Sequence, residues 1–508
     1  MLRRSLTLGL TTALAAALSA CGSPTTETGA GSCGQSAAVC LMAFDCCAGL
    51  ECLSGRCAVP SDVSAGPDGG SAGTTSSSGG SSTSGASTGS SSSGSGSGGT
   101  STGATSATGG STGQSSGGTT GGSSTGAFSP APHQSFPAMP DNGVLPLASP
   151  RLVTLSFSGY EATYPVGQFG DWIVTSQWLK TVGAPFGIAS GTHLDYKIPQ
   201  SAPPQTSYTD AQIQSYIQTT VTGSGGAVPA PSGTSPSSIY MLFLPTSVSI
   251  VDPTVGSSCQ QFGGYHGNFT DSSGNVWVYA IIATCAAAEF PGVNAQQQIE
   301  LYASHEFIEA ATDPVVNFQT NASGYNFTGL TQPDSWLFDL NEVADLCLGA
   351  PFVTDPTTGY MTQEVWNVVS AADATQPPCS PWPSGTPYFN VSPVAHGFSD
   401  GLAYYTAGSV PSSVTFDITG WSNVPVAQDW YLVPMQTVGS FSPTSLTLSA
   451  PGQAGGQFVT MNNGKTATLT VALPSGLASH SYVAIELMST DSTTGLPFNE
   501  WPVAIYVE

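Results

Sequence analysis

The sequence predicts a multi-domain chain in which a small disulfide-rich module and a flexible linker precede an α/β or α+β core and a C-terminal β-sandwich. Three observations carry that prediction. Six of the 11 cysteines fall between Cys33 and Cys57. Residues 61 to about 127 are almost wholly Gly, Ser, Thr and Ala. After Cys379, mixed helical and strand-like periodicities give way to apolar or alternating runs separated by turn residues, the pattern of stacked sheets. The 508 residues accordingly divide into 1–20, 21–60, 61–140, 141–384 and 385–508.

Segment 1–20 has the form of an export signal, with Arg3 and Arg4, an apolar run from Leu6 to Leu18, and small residues up to Cys21. Leu18-Ser19-Ala20-Cys21 resembles a bacterial lipobox. That resemblance implies acylation of Cys21, and Gly22 in place of Asp implies the outer membrane or cell surface. An ordinary signal with Cys21 incidental is the alternative. No later segment offers roughly 18 consecutive apolar residues, so lipid at Cys21 is the expected contact with the bilayer. Ten other cysteines remain, an even number that suits disulfides in an exported chain.

Residues 33–57 cannot bury enough apolar surface to fold without cross-links. The order C, C, CC, C, C resembles a knottin-like cystine-knot module, which implies the pairs Cys33–Cys47, Cys40–Cys52 and Cys46–Cys57. A thiolate metal cluster competes with that reading. The Gly/Ser-rich stretch that follows cannot recover its ordering entropy, and as a coil it would span on the order of 45 Å.

In the core, RLVTLSF at Arg151 reads as a strand, GQFGDWIVTSQWLKTV as one amphipathic helix, and TDAQIQSYIQTTV as a second helix capped by Thr209 or Asp210. SSIYMLFLP and VWVYAIIATC suit buried strands, and GGYHGNF reads as a Gly-rich loop before the second of them. The next helix opens near Ala295 and closes at Asp313-Pro314. Beyond Cys379, SSVTFDITGW, DWYLVPM, SLTLSAP, GKTATLTVALP, YVAIELMST and WPVAIYVE predict an immunoglobulin-like sandwich.

The helix containing His305-Glu306-Phe307-Ile308-Glu309 carries the chemistry. His305 and Glu309 lie one turn apart on one face, and imidazole nitrogen and carboxylate oxygen are both zinc ligands. Glu306 stands where the glutamate of HExxH zinc peptidases takes a proton from water, with Glu in place of the distal His. Glu342 is the candidate third ligand, with Asp345 and His266 as alternatives or as groups orienting the ligands. Asp334 and Asp339 belong to the same acidic run, and Asp313 closes the helix. No Lys or Arg occurs between Lys197 and Lys465, so the acids from Glu300 to Asp345 lack a local basic partner. A solvated acidic helix would need none, but a buried carboxylate must be protonated or bind a cation.

SHEFIEAATDPVVN, followed by NEVADLC and preceded by GGYHGNF and IYMLFLPTSVSI, resembles the Exordium or phosphate-induced protein family over roughly residues 150–380. The resemblance implies an extracellular or cell-surface protein. It also implies a zincin-like motif at His305, Glu306 and Glu309, with Glu342 or Asp345. The cysteines depart from the plant pattern, leaving Cys259–Cys285 and Cys347–Cys379 as proposed pairs.

The expectation is a surface lipoprotein with a zinc-dependent hydrolase domain acting on extracellular peptide or cell-surface polymer. Glu306 would be the base and Tyr265 or His266 a donor to the oxyanion. The alternative is a recognition or adhesion protein with a structural ion; calcium, which prefers an all-oxygen shell, suits the histidine less well than zinc. A net charge of −24 excludes nucleic acid as a partner.

Overall fold

The computed structural model describes residues 51–53, 56–58 and 128–508, apart from 253–255, 287–289, 291, 316–323, 328–333, 339–341, 374 and 492–497. Cys21, the signal segment, the linker from 61 to 127, and Cys33, Cys40, Cys46 and Cys47 lie outside the described residues. Glu51–Leu53 and Arg56–Ala58 pair antiparallel, with Cys52 opposite Cys57. No helix among the described residues is long and apolar enough to cross a membrane.

A five-stranded mixed sheet organises the first part of the body. Its strands are β1 (Arg151–Phe157), β2 (Thr192–Ile198), β3 (Ser238–Leu244), β4 (Gly264–Thr270) and β5 (Val276–Ala283), in the order β2-β1-β3-β5-β4. Neighbours are parallel except β4, which returns antiparallel along β5 as an edge. Period-two alternation divides the side chains between two apolar layers. Ile239, Met241 and Phe243 face α1 (Val166–Ile173), α2 (Gln177–Gly183) and the long helix α4 (Ala295–Thr312), whereas Tyr240, Leu242 and Leu244 face α3 (Asp210–Thr222).

The single helix expected over 167–182 is two. The chain breaks at Thr175 and Ser176, where the Ser176 hydroxyl accepts the Leu179 N–H at 3.0 Å and caps α2. A local cap of this kind outcompetes helical continuation because it satisfies a donor that the first turn leaves open. GGYHGNF is likewise not a loop. It forms β4, since pairing along β5 overrides the low strand propensity of Gly and Asn.

Among the described residues the main strands that follow are β6 (Phe389–Ala395), β7 (Leu402–Tyr405), β8 (Ser413–Ser422), β9 (Trp430–Gly439), β10 (Ser445–Ser449), β11 (Val459–Met461), β12 (Thr466–Ala472), β13 (Tyr482–Thr490) and β14 (Pro502–Val507), with the two-residue strand Phe498–Asn499 paired along β13. They form two sheets, β6-β8-β12-β10 and β7-β14-β13-β9-β11, antiparallel except at β7/β14. Side chains from both, such as Phe416, Leu469, Val483 and Ile485, join one apolar core.

That core does not stop at residue 384. Trp336 and Trp366 of the first part meet Trp501 and Phe136, with Phe136 5.2 Å from the Trp366 ring and 5.0 Å from the Trp501 ring. Residues 128–140, placed above at the end of the linker, are therefore structural. The Ala131 N–H reaches Asn463 Oδ1 at 2.8 Å, and the Gln134 N–H reaches Ser392 Oγ at 2.8 Å. Aromatic burial at Phe136 outweighs the polar, proline-rich look of its neighbours. The disulfides Cys259–Cys285 and Cys347–Cys379 are both formed.

Candidate metal centre

Helix α4 begins at Asn294, whose side chain accepts the Gln297 N–H in a reciprocal capping box, and ends at Asp313 before Pro314. Phe307, Ile308, Ala310 and Ala311 bury against the sheet, and this packing fixes where the polar face points. On that face His305 Nε2 lies 3.0 Å from Glu309 Oε2.

Strand β4 supplies the second imidazole. His266 pairs with Ala280, and residues opposed across an antiparallel ladder share a face, so His266 points toward α4. Two glycines let the helix lie this close. A Cβ at Gly264 would sit 2.9 Å from Glu306 Oε1, and one at Gly263 would sit 2.0 Å from Tyr302 Cζ. His266 Nδ1 is 3.5 Å from Glu306 Oε2 and 3.6 Å from Glu309 Oε2, while its Nε2 is 3.7 Å from Glu342 Oε1.

Glu342 and Asp345 arrive on the turn that opens the short 3-10 helix Asp345–Cys347. Glu309 anchors that turn, its Oε1 accepting the N–H groups of Ala344 and Asp345, both at 3.1 Å. Asp345 Oδ1 stands 3.4 Å from His305 Nε2. The donors fall into two groups whose ligand atoms lie within 4.8 Å of one another, His266 with Glu309 and Glu342, and His305 with Glu306 and Glu309. The six residues His266, His305, Glu306, Glu309, Glu342 and Asp345 are thus brought together.

Gln363 carries no charge and belongs to no motif, so sequence reasoning missed it. Its Oε1 accepts the His305 Nδ1–H at 3.0 Å, while its Nε2 donates to the Ala344 carbonyl at 2.6 Å. The amide orientation is thereby fixed, and with Nδ1–H committed to Gln363 it is Nε2 of His305 that faces Glu309 and Asp345, donating to them as an imidazolium and free to offer its lone pair where a cation replaces that proton. The Gln363 backbone is held in turn by Ser304 Oγ and Trp178 Nε1.

Other predicted positions go elsewhere. Tyr265 lies on the opposite face of β4 and donates to Asp210 Oδ1 at 3.0 Å, which removes it as an oxyanion donor. Asp313 accepts from the Gly324 N–H and Asn326 Nδ2, both at 2.7 Å, and closes the helix end. Asp334 accepts the Trp336 N–H, and Asp339 lies outside the described residues.

Burial opposes charge throughout the cluster, and its members answer differently. Burial lifts the carboxyls of Glu306, Glu342 and Asp345 above their ordinary range, Glu342 furthest. Glu309 is also buried, but His305 and His266 hold its pKa well below normal. Burial would lower both imidazoles. The carboxylates, Glu342 foremost at His266 and Glu309 foremost at His305, instead hold them well above 6.5. Among the described residues the charge partners of these carboxylates are the two histidines alone. Imidazole and carboxylate donors on rigid elements, with one imidazole already held from behind, fit a divalent cation such as zinc.

No protein-family model matches the chain, and no curated protein matches it. Solved structures similar to part of it include WR4, a C. elegans MSP family member, at 15% identity and a TM-score of 0.15, covering 24% of this chain and 97% of that one. Another is BcpA, the major pilin subunit of Bacillus cereus, at 13% identity and a TM-score of 0.15, covering 23% of this chain and 40% of that one. Likeness at this level carries no argument about activity.

Proposed function

We propose that this protein is a cell-surface lipoprotein whose α/β part is a zincin-like, metal-dependent hydrolase acting on extracellular peptide or cell-surface polymer. One observation carries the reading: two imidazoles and four carboxylates converge around Glu309, and no Lys or Arg occurs from 198 to 464 to balance them. His305 and Glu309 hold the ion, with Glu342 or Asp345 as third ligand. Zinc suits the imidazoles better than calcium.

A divalent ion held there supplies Lewis acidity to the substrate carbonyl. Glu306 accepts a proton from the attacking water as its oxygen bonds to the carbonyl carbon. It returns the proton to the departing amine as the C–N bond breaks. Burial raises the Glu306 carboxyl above its ordinary range, which strengthens it as a proton acceptor.

A second reading has its own support. The His305 and Glu309 side chains are only 12% and 2% exposed, and closed sites are typical of structural ions. In that case the immunoglobulin-like sandwich and the small cysteine-rich module do the binding and the ion stabilises the core.

The test uses the full chain. Zinc content is measured for wild type and for Glu309→Gln, followed by cleavage of casein and of a mixed peptide library by wild type and Glu306→Gln. Bound zinc, with cleavage lost in Glu306→Gln while zinc is retained, supports the hydrolase. Bound zinc without cleavage by the wild type favours the structural ion. Absence of zinc and of every other divalent ion overturns both.

A further inference from the structure

The two donor groups share only Glu309. Its Oε1 is occupied by two backbone N–H groups, which leaves Oε2, the oxygen that stands 3.0 Å from His305 Nε2 and 3.6 Å from His266 Nδ1. Each of those imidazoles also meets a second carboxylate, His266 through Nε2 at 3.7 Å from Glu342 Oε1 and His305 through Nε2 at 3.4 Å from Asp345 Oδ1. A carboxylate oxygen between two imidazole-carboxylate pairs is the position of a bridging ligand. In two-metal hydrolytic sites such a ligand lies between ions about 3.5–4 Å apart.

Charge points the same way. Glu306, Glu309, Glu342 and Asp345 bring four negative charges when ionised, and the two imidazoles are neutral when they act as ligands. The body contains Arg151, Lys180, Lys197 and Lys465, and its described Lys ion pairs run to Asp195 and Asp429, away from the cluster. One divalent ion would leave the remaining negative charge to be met by a proton on a carboxyl or on the imidazole that is not a ligand. Two divalent ions balance the set.

We infer that the centre is dinuclear, one divalent ion held by His266, Glu342 and Glu309 and the other by His305, Asp345 and Glu309, with Glu309 as the bridge. This rests on the metal-dependent reading above and changes its ligand assignment: Glu342 serves with His266 and not with His305. Asp345 completes the second set without Glu306, so that Glu306 keeps its place as the proton acceptor.

The experiment counts ions. Full chain, stripped with chelator and reloaded with Zn(II), is weighed by native mass spectrometry, and parallel samples loaded with Mn(II) are read by electron paramagnetic resonance. The expected result is about two ions per chain, with the exchange-coupled Mn(II) signal of a bridged pair. Glu342→Gln and Asp345→Asn should each reduce the count to about one and restore an isolated six-line Mn(II) spectrum. A wild-type count of one, with an uncoupled spectrum, overturns the dinuclear assignment while leaving the single-ion hydrolase standing. A count of zero removes both. Circular dichroism of each variant separates loss of an ion from loss of the fold, and if a variant unfolds, the wild-type count and its coupling still decide.

Discussion

Gln363 holds the Nδ1–H of His305 at 3.0 Å while its own amide donates to the Ala344 carbonyl, one residue from Asp345. A single uncharged side chain therefore fixes both the tautomer of one ligand and the turn that carries another. Gln363→Ala should weaken zinc binding by roughly tenfold or more, as loss of such supporting partners does elsewhere. Gln363→Glu, which retains the acceptor, should recover part of the loss. Competition with a chromophoric chelator measures both.

Glu364, the next residue, is fully buried, and neither carboxylate oxygen has a hydrogen-bond partner among the described residues. Burial pushes its pKa up to about 9 from an ordinary 4.5. The unfolded chain ionises this group above 4.5, whereas the folded chain keeps it neutral until about 9. Stability should consequently be greatest below the lower value and decline as pH rises toward the upper one, with a slope of at most ~1.4 kcal/mol per pH unit. Glu364→Gln should raise Tm at pH 8 and flatten its pH dependence. An unchanged slope in the variant would sink the assignment.

Gly263→Ala, at a buried position just before β4, should be a costly substitution. The added methyl would overlap the Tyr302 ring, at 2.0 Å from Cζ, so either that ring or the α4 turn carrying it must shift. A loss of about 1–3 kcal/mol is expected from overpacking, together with weaker metal binding because His266 and His305 lie on the two separated elements. Urea unfolding and zinc titration of the same sample test the coupling.

The Cys347–Cys379 bridge ties the turn bearing Glu342 and Asp345 to Cys379–Ser380, which pairs with Val365–Trp366. Replacing both cysteines by serine should cost about 2–4 kcal/mol. It should also lower metal affinity more than the corresponding change at Cys259–Cys285. Equal effects from the two bridges would show that the first has no special tie to the centre.

A fragment beginning at residue 141 should be markedly less stable than one beginning at 128. Phe136 is 6% exposed and fills the space among Trp366, Trp501 and Trp421, and Phe136→Ala alone should cost ~3–5 kcal/mol. Thermal unfolding of the two fragments and of the point variant checks this.

Where one strong local pattern ruled, the sequence was readable. Helix α4 runs from Ala295 to Thr312 as its cap signals and Pro314 imply, and Thr209 caps α3 through a capping box. The same holds for the acidic and histidine residues that the structure gathers around Glu309. What escaped depends on partners distant in sequence. His266 looked like a loop residue because its glycines are poor strand formers, and only pairing with β5 makes the segment a strand. Gln363 is 58 residues from His305 and bears no chemical signature of its role. Phe136 stood in a stretch of prolines and small residues whose order comes from aromatic rings more than 200 residues away.

Trp501 is far along the chain from Phe136 and Trp336 and lies against both. A chain made from its N-terminus cannot complete the core that lies beneath the candidate centre until Trp501 has emerged. Closing contacts this long carries a large loop entropy before any packing is gained, which slows folding. A product truncated before Trp501 would carry every residue of the candidate centre and still lack part of the packing beneath them.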